Sequence, residues 1–203
     1  MTTLVAGWLV FLVAAATPGP STLAIASLAV SEGRGRALRF VAGVVVGSQV
    51  WGLLAVLGFA AAMEAYASLA VALKLLGAAY LALLAVKALR RSGKDAAIAA
   101  RAGAIERPFL AALALHLSNP KAVFSWLAVV VVGVPGGDLS HAVPFLLGCL
   151  VLAILINGGY ALVFSNPAVQ AGYRAARRGI ERAVAAIFGA FAAALALSAV
   201  RQT

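Results

Sequence analysis

The chain has 203 residues, of which 64% are hydrophobic and only 11% are charged, and its formal net charge is +10 at pH 7. Soluble domains average about 45–50% apolar and about 25% charged residues, so the composition argues against a water-soluble fold. In a soluble chain this positive charge would suggest nucleic-acid binding, so the placement of the basic residues must distinguish that function from membrane topology.

Six apolar segments are long enough to cross a bilayer, which takes roughly 20 residues of helix. They are residues 4–30, 40–62, 69–89, 109–132, 143–165 and 181–200. The sequence therefore predicts an all-α integral membrane protein with six transmembrane helices in a single domain, 1–203.

The first predicted span is interrupted about halfway along by Thr17-Pro18-Gly19-Pro20-Ser21. A proline inside a helix lacks an N–H and crowds the carbonyl four residues earlier, so Pro18 and Pro20 should free the carbonyls of Ala14 and Ala16. In lipid such carbonyls need protein, water or a ligand as partners. Gly19 followed by Pro20 is also a suitable start for a new helix.

The second and third spans carry a few polar or small residues. Gly43 and Gly47 are four residues apart, a spacing that lets a neighbouring helix approach closely. Gln49 and Tyr80 either line a central cavity or only bond to a neighbouring helix. Lys74 lies about one and a half turns from the outer end of its helix, so it either snorkels to the interface or serves the transport pathway.

The fourth span is interrupted at the matching place by Ser118-Asn119-Pro120-Lys121. Pro120 should free the carbonyl of His116, while Asn119 can cap a new helix whose first residue is Pro120. Lys121 is too deep to snorkel easily, which favours a role in a pathway. His116 has the pKa range of a proton carrier but can equally be a packed, hydrogen-bonded residue.

The basic connector 90–108 divides the chain into two units of three spans, a first repeat at 1–89 and a second at 109–203. Such repeats enter the membrane in opposite orientations, and in secondary transporters their broken helices meet at the midplane to form the binding site. Here the breaks at Pro18-Gly19-Pro20 and Asn119-Pro120 would aim two helix starts at one place. Their N–H groups and dipoles favour an anion, and Lys121 adds a full charge. The alternative is a pair of ordinary proline kinks.

The fifth and sixth spans are predicted to be mainly scaffold. Asn157 and Tyr160 either line the cavity or bond to a neighbouring helix. Cys149, the only cysteine, is expected to be a packing residue.

Thirteen of the 16 Lys and Arg residues fall in three alternate segments, 31–39, 87–107 and 166–182. The positive-inside rule then places loops 31–39, 90–108 and 166–180 in the cytoplasm and both termini outside, in the cell inner membrane. Attraction to anionic lipid explains this charge, so nucleic acid is not an expected partner.

The quoted motifs resemble those of the LysE/RhtB family of amino-acid exporters. The similarity rests on Thr17-Pro18-Gly19-Pro20, on the stretch from Lys74 to Leu81, and on Leu117-Ser118-Asn119-Pro120-Lys121-Ala122, and it covers nearly the whole chain. The resemblance implies a six-helix exporter of amino acids, driven by the proton motive force and often a homodimer. Ser21 departs from the Asn or Asp that often follows the first motif, which leaves the substrate open.

The acidic residues narrow the substrate class. All six lie in loops or at helix ends, at Glu32, Glu64, Asp95, Glu106, Asp138 and Glu181. A cationic side chain would need an opposing carboxylate in a low-dielectric site, so a neutral amino acid is favoured. Its carboxylate would meet the helix starts and Lys121, and its ammonium the freed carbonyls.

The sequence thus predicts a secondary transporter that exports a neutral amino acid or close derivative. The expected binding residues are Thr17, Pro18, Gly19, Pro20, Ser21, Gln49, Tyr80, Asn119, Pro120, Lys121 and Asn157, with His116 and Lys74 as candidates for proton coupling. No enzyme, metal or cofactor site is expected. A passive channel and a non-transporting membrane scaffold are the alternatives.

Overall fold

The computed structural model describes residues 2–65, 75–76, 78–83, 85–86, 89–90 and 105–200. All regular structure in these residues is helical. The predicted pathway residue Lys74 and most of the connector 90–108 lie outside the described residues, so nothing is said of their structure.

Both ends of seven α-helices lie within the described residues. They are α1 (Thr2–Ala16), α2 (Pro20–Ser31), α3 (Arg34–Ala65), α4 (Pro108–Leu117), α5 (Pro120–Gly133), α6 (Ala142–Val163) and α7 (Pro167–Val200), with short 3-10 turns at Pro135–Gly137 and Leu139–His141. The residues described between 75 and 90 are helical as well.

Many large apolar side chains face outward, as helix α6 illustrates. Its buried face consists mostly of small residues such as Cys149 and Ala153, whereas Leu147, Val151 and Leu155 are more than half exposed. A water-soluble helix would bury its leucines. This reversed pattern is that of a helix surrounded by lipid, in which small residues allow close packing with neighbours.

Two helices in the described part of the chain are individually long and apolar enough to cross a membrane, over Arg34–Gly58 and Leu139–Val163. Two bent pairs also qualify when each is counted as one span, which gives up to four. The described part of the chain is all-helical, and the protein is a multi-pass membrane protein.

The bent pairs coincide with the predicted breaks. Helices α1 and α2 meet at 53°, and α4 and α5 at 63°. Each break is followed by a helix whose first residue is a proline, Pro20 or Pro120, where the missing N–H costs no helical hydrogen bond. The proline positions predicted from sequence as interruptions are therefore real breaks.

Helix α3 packs against both broken pairs, and its glycines set the distance to α4. A Cβ on Gly43 would collide with the Phe109 carbonyl oxygen and lie 2.8 Å from Cβ of Ala112. One on Gly47 would lie 3.1 Å from Cβ of His116. The predicted role of the two glycines in close helix packing is confirmed, and the contact brings His116 of α4 against α3.

Two predicted loops are largely helical. Helix α3 begins at Arg34, so the loop predicted at 31–39 shrinks to a tight turn in which Gly33 has φ +81°. Helix α7 begins at Pro167 and continues past residue 180, and the Asn166 side chain just before it accepts the Ala168 N–H at 2.9 Å. At 1.5 Å per residue, helices of 32 and 34 residues reach about 50 Å, so both exceed the roughly 30 Å hydrocarbon layer.

A side-chain clamp joins the α2–α3 turn to the start of α4. Glu32 and Arg36 form an ion pair at 2.5 Å. Arg36 also donates to the Ile105 carbonyl, and the Ile105 N–H points at the Glu32 carboxylate from 3.5 Å. Both backbone groups of Ile105 are thereby held, so the basic ends of α3 and α4 lie at the same end of the protein.

Candidate functional site

A cavity lies where the two broken pairs meet. Its volume is about 60 Å³. At roughly 10–15 Å³ per water this is room for about four to six water-sized groups, the scale of a small solute. The lining residues are Phe11, Ala14, Ala15, Gly19, Ser21, Thr22, Val44, Ser48, His116, Asn119, Lys121, Ala122, Ser125, Trp126 and Asn157.

At the first break the freed backbone finds a distant partner. The Ala16 carbonyl, whose helical N–H is lost at Pro20, accepts the Tyr160 hydroxyl at 2.7 Å. Gly19 is extended and provides no side-chain cap for α2. The start of α2 therefore faces the cavity through Gly19, Ser21 and Thr22 without a capping side chain.

The second break is closed by its own residues. The Asn119 side chain accepts the Lys121 N–H at 3.0 Å, and the Asn119 carbonyl accepts the Ala122 N–H at 2.9 Å. The freed His116 carbonyl accepts the Asn119 N–H at 3.2 Å. The expectation of free N–H groups at both helix starts is thus wrong for α5, because Asn119 accepts hydrogen bonds from the first N–H groups of that helix.

Two side-chain bonds connect the breaks directly. The Lys121 ammonium at the start of α5 donates to the Thr17 carbonyl at the end of α1, with 2.5 Å between Nζ and O. The Ser21 hydroxyl at the start of α2 lies 3.2 Å from Nδ1 of His116 in the last turn of α4. Each bond joins residues about a hundred positions apart, so the cavity is the junction of the two halves of the chain.

Gly19 makes room for the lysine. A Cβ at this position would lie 3.1 Å from both Cδ and Nζ of Lys121, closer than ordinary van der Waals contact. The absence of a side chain on Gly19 therefore lets the lysine chain lie against the first break.

Tyr80 contacts the start of α5, next to the second break. Its hydroxyl donates to the Lys121 carbonyl at 3.1 Å, and its ring packs on Phe124 with 5.2 Å between centroids. Tyr80 therefore positions the backbone of Lys121 and is not itself among the cavity-lining residues.

The predicted binding residues separate into three groups by position. Gly19, Ser21, Asn119, Lys121 and Asn157 line the cavity, as does the proton-coupling candidate His116. Thr17, Pro18, Pro20 and Pro120 form the breaks themselves, and Thr17 reaches Lys121 through its carbonyl. Gln49 is not among the lining residues, and its amide nitrogen is buried without a hydrogen-bond partner in the described chain.

The cavity also contains an aromatic wall that the sequence did not indicate. Phe11 and Trp126 pack with ring centroids 5.0 Å apart, and the Trp126 indole N–H donates to the Ser48 hydroxyl at 3.1 Å. These residues come from three different helices, and an aromatic residue in an apolar span looks like any lipid-facing one. The one available signal for the position of Trp126 was Gly52 in α3. A Cβ on that glycine would lie 2.7 Å from the Trp126 ring.

The charge in the cavity is positive. Lys121 is a lining residue, whereas no Asp or Glu lies among those that the described chain contributes to the lining. The polar groups that remain are hydroxyls, the Asn119 and Asn157 amides, the His116 imidazole and backbone groups. This set can hold a carboxylate and can offer backbone carbonyls to an ammonium, but it has no carboxylate for a second cation.

Comparison with known proteins identifies the family. The profile described as LysE type translocator matches residues 12–199. The chain is 33% identical over 190 residues to an uncharacterised membrane protein of Pseudomonas aeruginosa, with 88% of each chain covered. It is 30% identical over 199 residues to the threonine efflux proteins of Escherichia coli and Salmonella typhi, covering 94% of this chain and 95% of each relative. No solved structure gave a significant match. The chain belongs to the LysE type translocator family.

Proposed function

We propose that this LysE type translocator exports a neutral amino acid, and that the cavity at the two helix breaks is its binding site. Relatives named threonine efflux proteins, aligned over 94% of the chain, support an amino-acid substrate. The observation that carries the assignment of the site is the bond between Lys121 and Thr17, which places one cation inside a small cavity between two broken helices.

The two charged groups of an amino acid fit different parts of the cavity. Its carboxylate would lie between the Lys121 ammonium and the start of α2, where the helix dipole is positive and no side chain caps Gly19. Its ammonium would lie at the carbonyl end of α1, where the dipole is negative. Because these two ends meet at residues 17–19, one small zwitterion can reach both.

The lining favours a neutral side chain on the substrate. A lysine or arginine substrate brings a second cation, which at this depth needs a carboxylate partner. The described lining provides Lys121 and no carboxylate. The aromatic wall of Phe11 and Trp126 suits a small apolar or hydroxylated side chain instead.

Orientation and coupling are part of the same proposal. The basic starts of α3 and α4 lie at one end of the protein, which the positive-inside rule assigns to the cytoplasm. Helices α2 and α4 then form the cytoplasmic side of the cavity in an inner-membrane protein of six spans. Alternating access by two inverted repeats would open each side in turn. His116, held by Ser21 at the junction, is the candidate for the proton step.

Uptake into everted membrane vesicles tests this function, because uptake there corresponds to export from the cell. Radiolabelled threonine should accumulate in vesicles that contain the protein and should do so at least about tenfold faster than arginine. An uncoupler should abolish the accumulation. Equal uptake of arginine would contradict the neutral substrate, and a flux unchanged by the uncoupler at equal gradients would indicate a channel.

A further inference from the structure

The hydroxyl of Ser48, in α3, makes an unusual hydrogen bond for a residue inside a helical bundle. Four other hydroxyl residues donate their proton to the carbonyl four positions earlier, namely Thr17, Ser31, Ser118 and Ser165. Ser48 instead accepts the Trp126 indole N–H at 3.1 Å, and this is its one hydrogen bond in the described chain. Because an indole can only donate, the proton of the Ser48 hydroxyl has no acceptor among the described residues.

This unpaired donor belongs to the wall of the cavity. Ser48 and Trp126 are both lining residues, and Ser48 is only 5% exposed. Phe11 packs on the Trp126 ring, so the hydroxyl lies beside an aromatic surface. A buried hydroxyl in this position favours a ligand that brings an oxygen atom to the aromatic wall.

The geometry of α5 relates this wall to the charged end of the site. Lys121, proposed above to meet the substrate carboxylate, and Trp126 lie on the same helix and both line the cavity. At about 1.5 Å per residue, their backbones are separated by about 7.5 Å along the helix axis. An amino acid held by its carboxylate at Lys121 therefore extends its side chain toward the wall, and the distance suits a side chain of only a few atoms.

Resting on the function proposed above, we infer that Ser48 recognises a hydroxyl group on the substrate side chain, and that the Trp126 indole orients Ser48 for this contact. The Ser48 proton is donated to the oxygen of the substrate hydroxyl. The substrate class is thereby narrowed from neutral amino acids in general to those with a hydroxyl on a short side chain.

Valine is the informative competitor, because it has nearly the shape of threonine with a methyl group in place of the hydroxyl. Water can bond to Ser48 while the cavity is open, but a methyl group that displaces this water leaves a buried hydroxyl unpaired. A site that bonds a substrate hydroxyl rejects the analogue without it, whereas a purely apolar pocket separates the two much less. Serine and 2-aminobutyrate form a second pair of the same kind.

The ratio of Vmax/KM for threonine to that for valine tests the inference, with both radiolabelled amino acids measured in the same everted vesicles. The amount of inserted protein cancels in this ratio. The natural protein should prefer threonine at least about fivefold, and Ser48→Ala should lower the preference to below about twofold, chiefly through lost threonine transport. Should Ser48→Ala transport neither amino acid, Ser48→Cys, whose thiol is a weak donor, should show the same fall in the ratio.

Ser27→Ala is the matched control. Ser27 is another buried serine whose hydroxyl has no hydrogen-bond partner in the described chain, but it lies in α2 and is not among the described lining residues. Its loss should leave the ratio unchanged. Trp126→Phe keeps an aromatic ring and removes the N–H that orients Ser48, so it should lower the ratio by at least about twofold.

The outcomes separate this inference from the proposed function. If the natural protein transports neutral amino acids without preferring the hydroxylated member of either pair, the inference is overturned and the proposed function stands. The same holds if Ser48→Ala retains the natural ratio, which would place Ser48 away from the substrate side chain, or if Ser27→Ala lowers the ratio equally. An unchanged ratio in Trp126→Phe would overturn the orienting role of the indole. If no neutral amino acid is transported, the proposed function itself fails.

Discussion

The hydroxyl of Tyr160 bonds to the carbonyl of Ala16 at 2.7 Å, across 144 positions of sequence. That carbonyl is the one that Pro20 deprives of its helical N–H. Tyr160 of α6 thus gives the Ala16 carbonyl a hydrogen-bond donor in place of the lost N–H. The first break is therefore stable in an apolar environment because a residue from the second half of the chain satisfies its backbone.

Loss of this hydroxyl should destabilise the protein. Tyr160→Phe leaves a partly buried carbonyl without a donor, for which we expect about 1–3 kcal/mol in the free energy of unfolding. The matched control is Tyr80→Phe, which also removes a hydroxyl bonded to a break. Because the Lys121 carbonyl lies inside α5 and keeps its helical partner, that loss should be smaller, about 0.5–1.5 kcal/mol. Reversible unfolding in detergent micelles measures both, and equal effects would contradict the special role of Tyr160.

The contact between α3 and α4 gives a second stability prediction. Gly43→Ala places a methyl group against the Phe109 carbonyl and the Ala112 side chain, so the helices must separate at a cost of about 1–3 kcal/mol. Gly58→Ala, in the same helix, meets nothing within 4 Å and should be neutral or slightly stabilising. Micelle unfolding midpoints should therefore fall only for Gly43→Ala.

The clamp on Ile105 should affect local opening more than global stability. Arg36→Ala removes the donor to the Ile105 carbonyl and the partner of Glu32, which are partly exposed and contribute at most about 1 kcal/mol. Amide hydrogen exchange at Ile105 should nevertheless become faster. Arg39→Ala, an exposed arginine one turn further along α3, should leave that exchange unchanged. If both variants behave alike, the clamp does not hold this segment.

His116 is expected to couple transport to protons. His116→Gln keeps a polar side chain near Ser21 but cannot take up a proton, so threonine should still bind while its uptake loses the stimulation by a proton gradient. Ser21→Ala removes only the partner of the imidazole and should reduce the stimulation less. Uptake by vesicles with and without an imposed gradient separates the two, and full stimulation in His116→Gln would assign the proton step elsewhere.

The breaks were predictable from sequence because proline chemistry is local. Pro20 and Pro120 cannot continue a helix, and Asn119 is a strong capping residue, so both interruptions appear where they were expected. The charge at 31–39 and 166–180 predicts loops, whereas the structure has helix over most of both segments. Arginine is a good helix former, and a helix may continue into water beyond the lipid.

Contacts between distant segments could not be predicted from one sequence. Nothing local to Thr17 indicates Lys121 as its partner, and nothing in α5 indicates that Trp126 faces Phe11 across the cavity. The start of α5 illustrates the same limit. The sequence predicts Asn119 as the cap of this helix, but it also predicts N–H groups there that are available to a ligand. Only the bond from Lys121 to the Asn119 side chain resolves the two expectations.

Threonine uptake by everted vesicles that contain Lys121→Met tests the central claim most directly. The substitution keeps the length of the side chain and removes its charge, and a lost charge-assisted hydrogen bond of about 1.5–3 kcal/mol corresponds to roughly tenfold or more in binding. With normal insertion of the variant, threonine uptake at low concentration should fall at least about tenfold, and Lys121→Arg should retain more of it. Uptake at the natural rate in Lys121→Met would remove Lys121 from the substrate site and contradict the account.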